Sequence, residues 1–368
     1  MSVYLDHHAA SPVEPEVLAA MDAARPRAWA NPSSAHAAGR AARRVVEEAR
    51  EALARAIGGL PADVVFTSGG TEACNLGVLG LARGAGGRVV TTALEHPAVA
   101  EAVRALGLEV VRVDAPGGVA PADLPLEGAA LACVQWVNHE TGSVLPVEAW
   151  ARRCRELGVP LFVDACQALG KLPVDVGALG ASVVALASSK IGGPPGAGAL
   201  WIARGTEVTP RALGGGQERG RRAGSPDPVA LAGFGAAAGR VEARLAAMPA
   251  VAVRRDRLEA ALAEHGPVAG AGGPRVATVT NVAVRGWSGA RLVAALDVEG
   301  VMTSHGAACS SGVDAPSAVL RAMYPEEPWR ADSAVRLSLG PATTDADVEV
   351  AIAALEAVLG RQRTSSGF

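Results

Sequence analysis

The stretch from Val183 to Ile202 reads VVALASSKIGGPPGAGALWI, and the fold turns on how it is read. A short apolar run ends at Ser188-Ser189-Lys190, a Gly/Pro-rich turn follows, and a second apolar run starts at Ala199. The pattern is strand, tight polar loop, strand. Lys190 therefore sits where a buried sheet opens into a loop, a usual place for reactive groups. Of the chain's 34 basic residues only two, Lys171 and Lys190, are lysines. Arginine does almost everything a surface lysine does except lose its proton and form a Schiff base. A chain that has nearly discarded lysine, yet keeps one at a strand end, has a use for an amine there. The commonplace alternative is a solvated lysine on a surface turn, and a GC-rich coding sequence would also favour arginine. Other stretches decide between them.

Working outward, strands alternate with helices. Val64–Phe66, Val89–Thr92, Glu109–Val113, Leu131–Trp136 and Leu161–Val163 read as strands, with helices such as Pro97–Leu106 and Val147–Leu157 between them. This predicts an α/β fold with a mostly parallel sheet covered on both faces, and active groups at the carboxyl ends of its strands. Thr71, His96, Asn138-His139-Glu140, Asp164 with Gln167, and Lys190 all fall there. Upstream, Ser11 and Pro12 are expected as N-cap and first residue of a helix carrying Val13, Val17, Leu18 and Met21. Downstream, the stretch from Leu213 to Ser225 is too glycine-rich for a helix and too arginine-rich for a core, and reads as a long loop suited to an anion. A helix from Pro228 to about Met248 leads to a second lobe. That lobe is expected to hold helices at Arg254–His265, Ala290–Leu296 and Asp345–Leu359 and a strand at Thr278–Val284. The expected division is a large domain over 12–248 and a smaller α+β domain from 1–11 and 249–368. In Ala334 to Leu339, Arg336 lies opposite Val335 and Leu337, and an inward arginine needs an anionic partner.

Composition narrows the class. The 368 residues are 49% hydrophobic with few aromatics, so a large core of small side chains is available. The net charge of −3 is spread along the chain without a basic block, which predicts neither a nucleic-acid nor a membrane partner. The opening residues lack a signal pattern, and the weakly polar run from Val176 to Ala187 is too short to span a bilayer. Five irregularly spaced cysteines argue against a disulfide framework, so the expected compartment is a reducing cytoplasm. No metal site is expected.

One cofactor would use the strand-end residues together. Pyridoxal phosphate needs an anion cup, a carboxylate for its pyridine nitrogen, a lysine for its aldehyde and a surface for its ring. Thr71 with the Gly69-Gly70 amides at a helix start would form the cup. Asp164 would meet the ring nitrogen, His96 would stack on the ring, and Lys190 would carry the aldehyde carbon. Each residue also has an ordinary explanation: a capped turn, an N-cap, a helix-terminal histidine, a surface lysine. Their combination at strand ends is what points to the cofactor.

Here the sequence resembles a known family over nearly its whole length. The matching stretches are Tyr4-Leu5-Asp6, Asn31-Pro32-Ser33-Ser34, Phe66 to Glu72, Glu95-His96-Pro97-Ala98-Val99, Val163 to Gln167, Gly170-Lys171, Gly214 to Gly220, Ala308-Cys309-Ser310-Ser311 and Ser333 to Gly340. Together they resemble the NifS/IscS-type cysteine desulfurases, which are fold-type I, pyridoxal-phosphate enzymes of aminotransferase class V. The resemblance implies that Lys190 carries the cofactor, that Asp164 meets its pyridinium and that Gln167 contacts its phenolic oxygen. It also implies that His96 stacks on the ring and that Arg336 binds the substrate carboxylate. Cys309 matches the nucleophile that takes sulfur from L-cysteine as a persulfide while L-alanine leaves. Ser225 falls where the family has a threonine that reaches the partner subunit's phosphate, which implies a homodimer. A sulfur-acceptor protein is the implied further partner.

The departures cluster near the cofactor. The family's Ser-Gly-His-Lys is Ala187-Ser188-Ser189-Lys190, so Ser188 or Ser189 would replace the missing phosphate contacts. The family's Asn-Asn-Glu is Asn138-His139-Glu140, which puts His139 where an asparagine reaches the ring and leaves Asn138 on the substrate side. Leu213 replaces a histidine, Pro195 a lysine, and His305 opens a changed cysteine loop. Three readings follow: a desulfurase using Cys309, a related enzyme running another amino-acid reaction on the same cofactor (carbon–sulfur or carbon–selenium cleavage, transamination, epimerisation), and a degenerate homologue that only binds.

Overall fold

The computed structural model describes residues 2–82, 86–113, 124–306 and 315–365, with side chains described except at 112–113 and 361–365. The chain divides into two compact units, one of Ser11–Val137 with Leu145–Leu245 and one of Met1–Ala10, Asn138–Val144 and Ala246–Phe368. Its strands are β1 (Val3–Tyr4), β2 (Val64–Thr67), β3 (Arg88–Thr92), β4 (Glu109–Val113), β5 (Ala129–Gln135), β6 (Leu161–Asp164), β7 (Val183–Ala187), β8 (Gly198–Ile202), β9 (Val279–Ala283), β10 (Val301–Met302) and β11 (Ala334–Ser338).

In the larger unit β2 to β8 form one seven-stranded sheet in the order β2-β8-β7-β6-β5-β3-β4. Only β8 runs against the others, because it pairs antiparallel with both β2 and β7. The Val183–Ile202 stretch is therefore the hairpin β7–β8, with Ser188–Lys190 as a 3-10 turn between its strands. All five residues of β7 are buried, as expected for a strand covered on both faces. One face packs Val65, Leu131, Phe162, Val183 and Leu200 against α3 (Gly70–Leu81) and α4 (Pro97–Ala105). Elsewhere in this unit α1 (Pro15–Ala28), α2 (Ala37–Ala56) and α7 (Pro228–Ala238) pack on one another.

Two helix expectations are corrected. The first helix is capped at Glu14 and starts at Pro15, not at Ser11-Pro12. Ser11 is committed elsewhere: its N–H donates to the Ser189 carbonyl at 2.8 Å and its hydroxyl to the Lys190 carbonyl at 3.4 Å. The expected helix from Pro228 to Met248 is two helices, because α7 ends at Ala238 with Gly239 as its C-cap and α8 runs Val241–Ala263. Pro249 lies inside α8. One lost backbone hydrogen bond there is offset by burial of Val251, Leu258 and Leu262.

The smaller unit pairs β1 with β10 in parallel and β11 with β9 antiparallel. Its core gathers Leu5, Val282, Leu292, Val335, Leu337, Val348 and Leu355. It includes α9 (Gly289–Val298), α10 (Ala318–Met323), α11 (Trp329–Ser333) and α12 (Asp345–Ser365). No helix among the described residues is long and apolar enough to cross a membrane.

The arginine-rich loop after Leu213 is held by the protein's own groups. Glu218 and Arg219 both have left-handed backbones, φ 48° and 58°, which cost non-glycine residues about 1–3 kcal/mol each. The conformation drives the Glu218 carboxylate inward. Its Oε1 accepts from Arg50 Nη2 at 2.8 Å, and its Oε2 accepts from Arg50 Nη1 at 2.7 Å and from the Phe66 N–H at 2.8 Å. Arg50 also donates to the Val64 carbonyl at 2.9 Å. Both side chains are only 5% exposed, and without Glu218 the buried Arg50 keeps as its charged partner only Glu47, at 3.2 Å and 43% exposed. Glu218→Ala is expected to lower unfolding free energy by about 3–5 kcal/mol. Urea denaturation would show this as a lower midpoint, and a loss under about 1 kcal/mol would contradict the account.

Candidate active site

The candidate residues fall into two sets, one in each unit. In the larger unit β2, β3, β6 and β7 all run the same way, and their carboxyl ends lead into Thr71, His96, Asp164 and Lys190. Asp164 ends β6, near the middle of the sheet, and is 8% exposed. Its Oδ1 accepts from the Cys166 N–H at 2.9 Å, which fixes the turn after the strand. Lys190 follows β7, the strand next to β6, and is partly exposed.

The N-terminus of α3 closes on this turn. A Cβ on Gly70 would stand 2.9 Å from Cys166 Sγ and 3.1 Å from the Ala187 methyl, so only glycine lets the helix approach so near. Gly69 holds the N-cap without any side-chain cap bond, and the space beside it is open to 4 Å. Uncapped amides and the positive end of a helix, facing open space, suit a phosphate. Thr71 is exposed in the same first turn.

His96 caps α4, its Nδ1 accepting from the Ala98 N–H at 3.0 Å. The neutral ring therefore carries its proton on Nε2, and its orientation is set by the cap. Gln167 is buried, and its Oε1 accepts from Lys171 Nζ at 2.5 Å. That bond orients the amide so that its Nε2 is the donor end. It also gives the second lysine a structural task. Of the two serines before Lys190, Ser188 is fully enclosed and its hydroxyl lies against Gly193, where a Cβ would come within 2.2 Å of it. Ser189 is partly exposed. Ser225 is exposed on the loop past Gly224.

In the smaller unit Arg336, on β11, is 1% exposed. Its Nη2 donates to Asp6 Oδ1 at 2.6 Å and its Nη1 to the His139 carbonyl at 3.2 Å, while its buried Nε has no partner among the described residues. Asp6 is thus the anionic partner that an inward arginine requires. Asn138 is fully buried, and its Oδ1 accepts from the N–H groups of Glu140 and Thr141 and from the Thr141 hydroxyl. It shapes the 138–144 segment. His139 Nε2 lies 3.6 Å from Glu140 Oε1, and Glu140 Oε2 accepts from the Ser317 hydroxyl at 2.5 Å. Cys309 lies outside the described residues.

One group escaped the sequence reading. Glu95 precedes His96 and is fully inside the larger unit, its Oε1 accepting from the Thr92 hydroxyl at 2.5 Å and the Gln135 N–H at 3.1 Å. Burial, with the Asp164 charge adding to it, raises this carboxyl to about 8, so it is protonated at neutral pH. Only its place beside His96 in a matching motif could have flagged it.

The chain matches the aminotransferase class-V family model over residues 3–350 and belongs to that family. Enzymes of this family depend in general on pyridoxal phosphate. Within it the chain falls among the NifS/IscS-type cysteine desulfurases. It is 40% identical to an IscS-like cysteine desulfurase of Mycobacterium tuberculosis, over 99% of this chain and 98% of the relative. Among solved structures it resembles a NifS-like protein from Rickettsia africae, at TM-score 0.89 and 26% identity, over 98% of this chain and 100% of the other. It also resembles SspA in complex with cysteine, at TM-score 0.79 and 28% identity, over 93% of this chain and 100% of that one. The architecture is that of a fold-type I transferase.

The Glu95 carboxyl makes stability depend on pH. The folded chain keeps its proton up to about 8, whereas the unfolded chain releases it near 4.5. Its contribution is therefore complete below 4.5 and is lost as pH rises towards 8, at roughly 1.4 kcal/mol for each pH unit crossed. Glu95→Gln keeps the shape without the proton, so its stability relative to wild type should rise across that window. Parallel pH profiles for the two proteins would contradict this.

Proposed function

We propose that the protein is a pyridoxal-phosphate-dependent desulfurase that takes sulfur from L-cysteine onto Cys309 and releases L-alanine. The observation that carries the reading is one sheet edge bearing a buried carboxylate at Asp164, an amine at Lys190 and an uncapped helix start at Gly70. These groups match the ring nitrogen, aldehyde and phosphate of the cofactor in charge and in chemistry. When bound, the cofactor supplies an electron sink that loosens bonds at the α- and β-carbons of an attached amino acid.

The chain's own residues then divide the work. The Gly70 and Thr71 amides and Ser189 hold phosphate, with enclosed Ser188 supporting their turn. Ser225 is assigned to the phosphate of a second copy, in a homodimer. Asp164 accepts the pyridine N–H, Gln167 donates Nε2–H to the phenolic oxygen, and His96 lies against the ring. Lys190 provides the amine that holds the cofactor. Arg336, oriented by Asp6, binds the substrate carboxylate. Asn138 and His139 border the substrate and the ring on the segment whose His139 carbonyl meets Arg336. The Cys309 thiolate takes the substrate sulfur as a persulfide, and the carbon that loses sulfur takes a proton in its place. A reducing cytoplasm keeps that thiol available, and a thiol on another protein is the class of acceptor.

Purified protein given L-cysteine and a dithiol reductant is expected to form alanine and sulfide in equal amounts. Cys309→Ser should lose both products by about 100-fold or more while retaining cofactor absorbance. Lys190→Ala should lose the Lys-bound absorbance itself. Undiminished products from Cys309→Ser would replace this reading with cysteine-independent chemistry on the same cofactor.

A further inference from the structure

The proposed reaction leaves two buried thiols unused beside the cofactor residues. Cys74 lies in α3 and is 1% exposed, and Cys166 lies in the turn after β6 and is 9% exposed. Their Sγ atoms and a carboxylate oxygen of Asp164 all lie within 4.8 Å of one another. The cluster forms because Gly70 lets the start of α3 close onto the Asp164–Cys166 turn, as the 2.9 Å from a Gly70 Cβ to Cys166 Sγ records. No other group of three such ligand residues occurs among the described residues, and Cys133 and Cys154 stand outside it.

Two sulfurs and one carboxylate oxygen make a ligand set that selects a thiophilic cation over magnesium or calcium. Zinc bonds run about 2.3 Å to sulfur and about 2.0–2.2 Å to oxygen, so a tetrahedral ion holds its ligand atoms about 3.5–3.8 Å apart. The three atoms lie within 4.8 Å of one another, so closing them on an ion takes shifts of about 1 Å or less. We propose that Cys74, Asp164 and Cys166 form a three-ligand site for zinc or a similar thiophilic divalent cation, which fills in the cofactor-free protein and is emptied by cofactor binding. On binding, each thiol gives up its proton to solvent and each thiolate donates a lone pair to the ion. The fourth position of a tetrahedral ion stays open to water. No oxidation state changes. Exclusion follows because the ion and the pyridine nitrogen claim the same carboxylate, and because an ion at Asp164 would repel a protonated ring. The exclusion rests on the cofactor reading above, whereas the ion site does not. The site would keep cofactor-free chain metal-bound wherever thiophilic metal is abundant.

The test uses the full chain carrying Cys309→Ser, so that the loop thiol cannot contribute. It is stripped of cofactor with hydroxylamine and titrated anaerobically with cobalt(II). The expected result is one cobalt per chain, with a thiolate-to-metal charge-transfer band that zinc abolishes. Cys74→Ser and Cys166→Ser should each weaken binding by more than about tenfold, and Cys154→Ser should not. Asp164→Asn keeps both thiols and should retain the band at more than about tenfold lower affinity, which decides the matter if a cysteine variant fails to fold. Added pyridoxal phosphate should release the cobalt in step with the appearance of bound-cofactor absorbance. Absence of the band, or a band indifferent to Cys74 and Cys166, overturns the site. A band that persists while cofactor loads overturns the exclusion. Cobalt binding with no cofactor uptake at all supports the ion site and counts against the cofactor reading.

Discussion

A carboxylate held inside a sheet must be given a positive partner, and Asp164 imposes that requirement here. It ends the strand near the middle of a seven-stranded sheet, with little exposure, and its Oδ1 accepts from a neutral amide. Interior charge without a counter-charge is costly, and a bound cation beside Asp164 would relieve that cost. A protonated pyridine ring is one such cation, and a metal ion bridged by two adjacent thiols is another. On the readings proposed above, the arrangement around Asp164 would serve either. Gly70 brings a helix start close, Lys190 follows the neighbouring strand, and Cys166 donates its amide to fix the turn.

The same economy appears in the groups around it. Glu95 is equally enclosed but stays protonated, so the region does not carry a second buried charge. Lys171 spends its ammonium on Gln167, which orders the amide and leaves Lys190 as the amine at a strand end. Arg336 is paired with Asp6, which holds its guanidinium in one orientation. A buried, pre-oriented arginine costs less to organise at the moment of binding than a mobile one.

Much of this was legible in the sequence because it depends on pattern. The β7–β8 hairpin follows from two apolar runs around a Gly/Pro turn, and strands at Glu109–Val113 and helices at Val147–Leu157 stand where the periodicity puts them. What was not legible depends on distant partners. Ser11 has the chemistry of an N-cap, but its N–H is taken by Ser189, far along the chain, so the helix starts at Pro15. The loop after Leu213 reads as a place for an external anion, yet Arg222 pairs with Glu72 and Glu218 with Arg50. Cys74 and Cys166 are separated by ninety-odd positions, and nothing local signals that they meet. The protonation of Glu95 likewise comes from surrounding bulk, which no motif records.

The chain's two lysines make one measurement unusually direct. Borohydride reduction of the cofactor-loaded protein, followed by peptide mass mapping, identifies the amine that holds the cofactor. A pyridoxyl-phosphate adduct confined to the peptide containing Lys190 is the predicted result. An adduct on Lys171, or none on a protein that still retains cofactor, would contradict the assignment from which the rest of the site is argued.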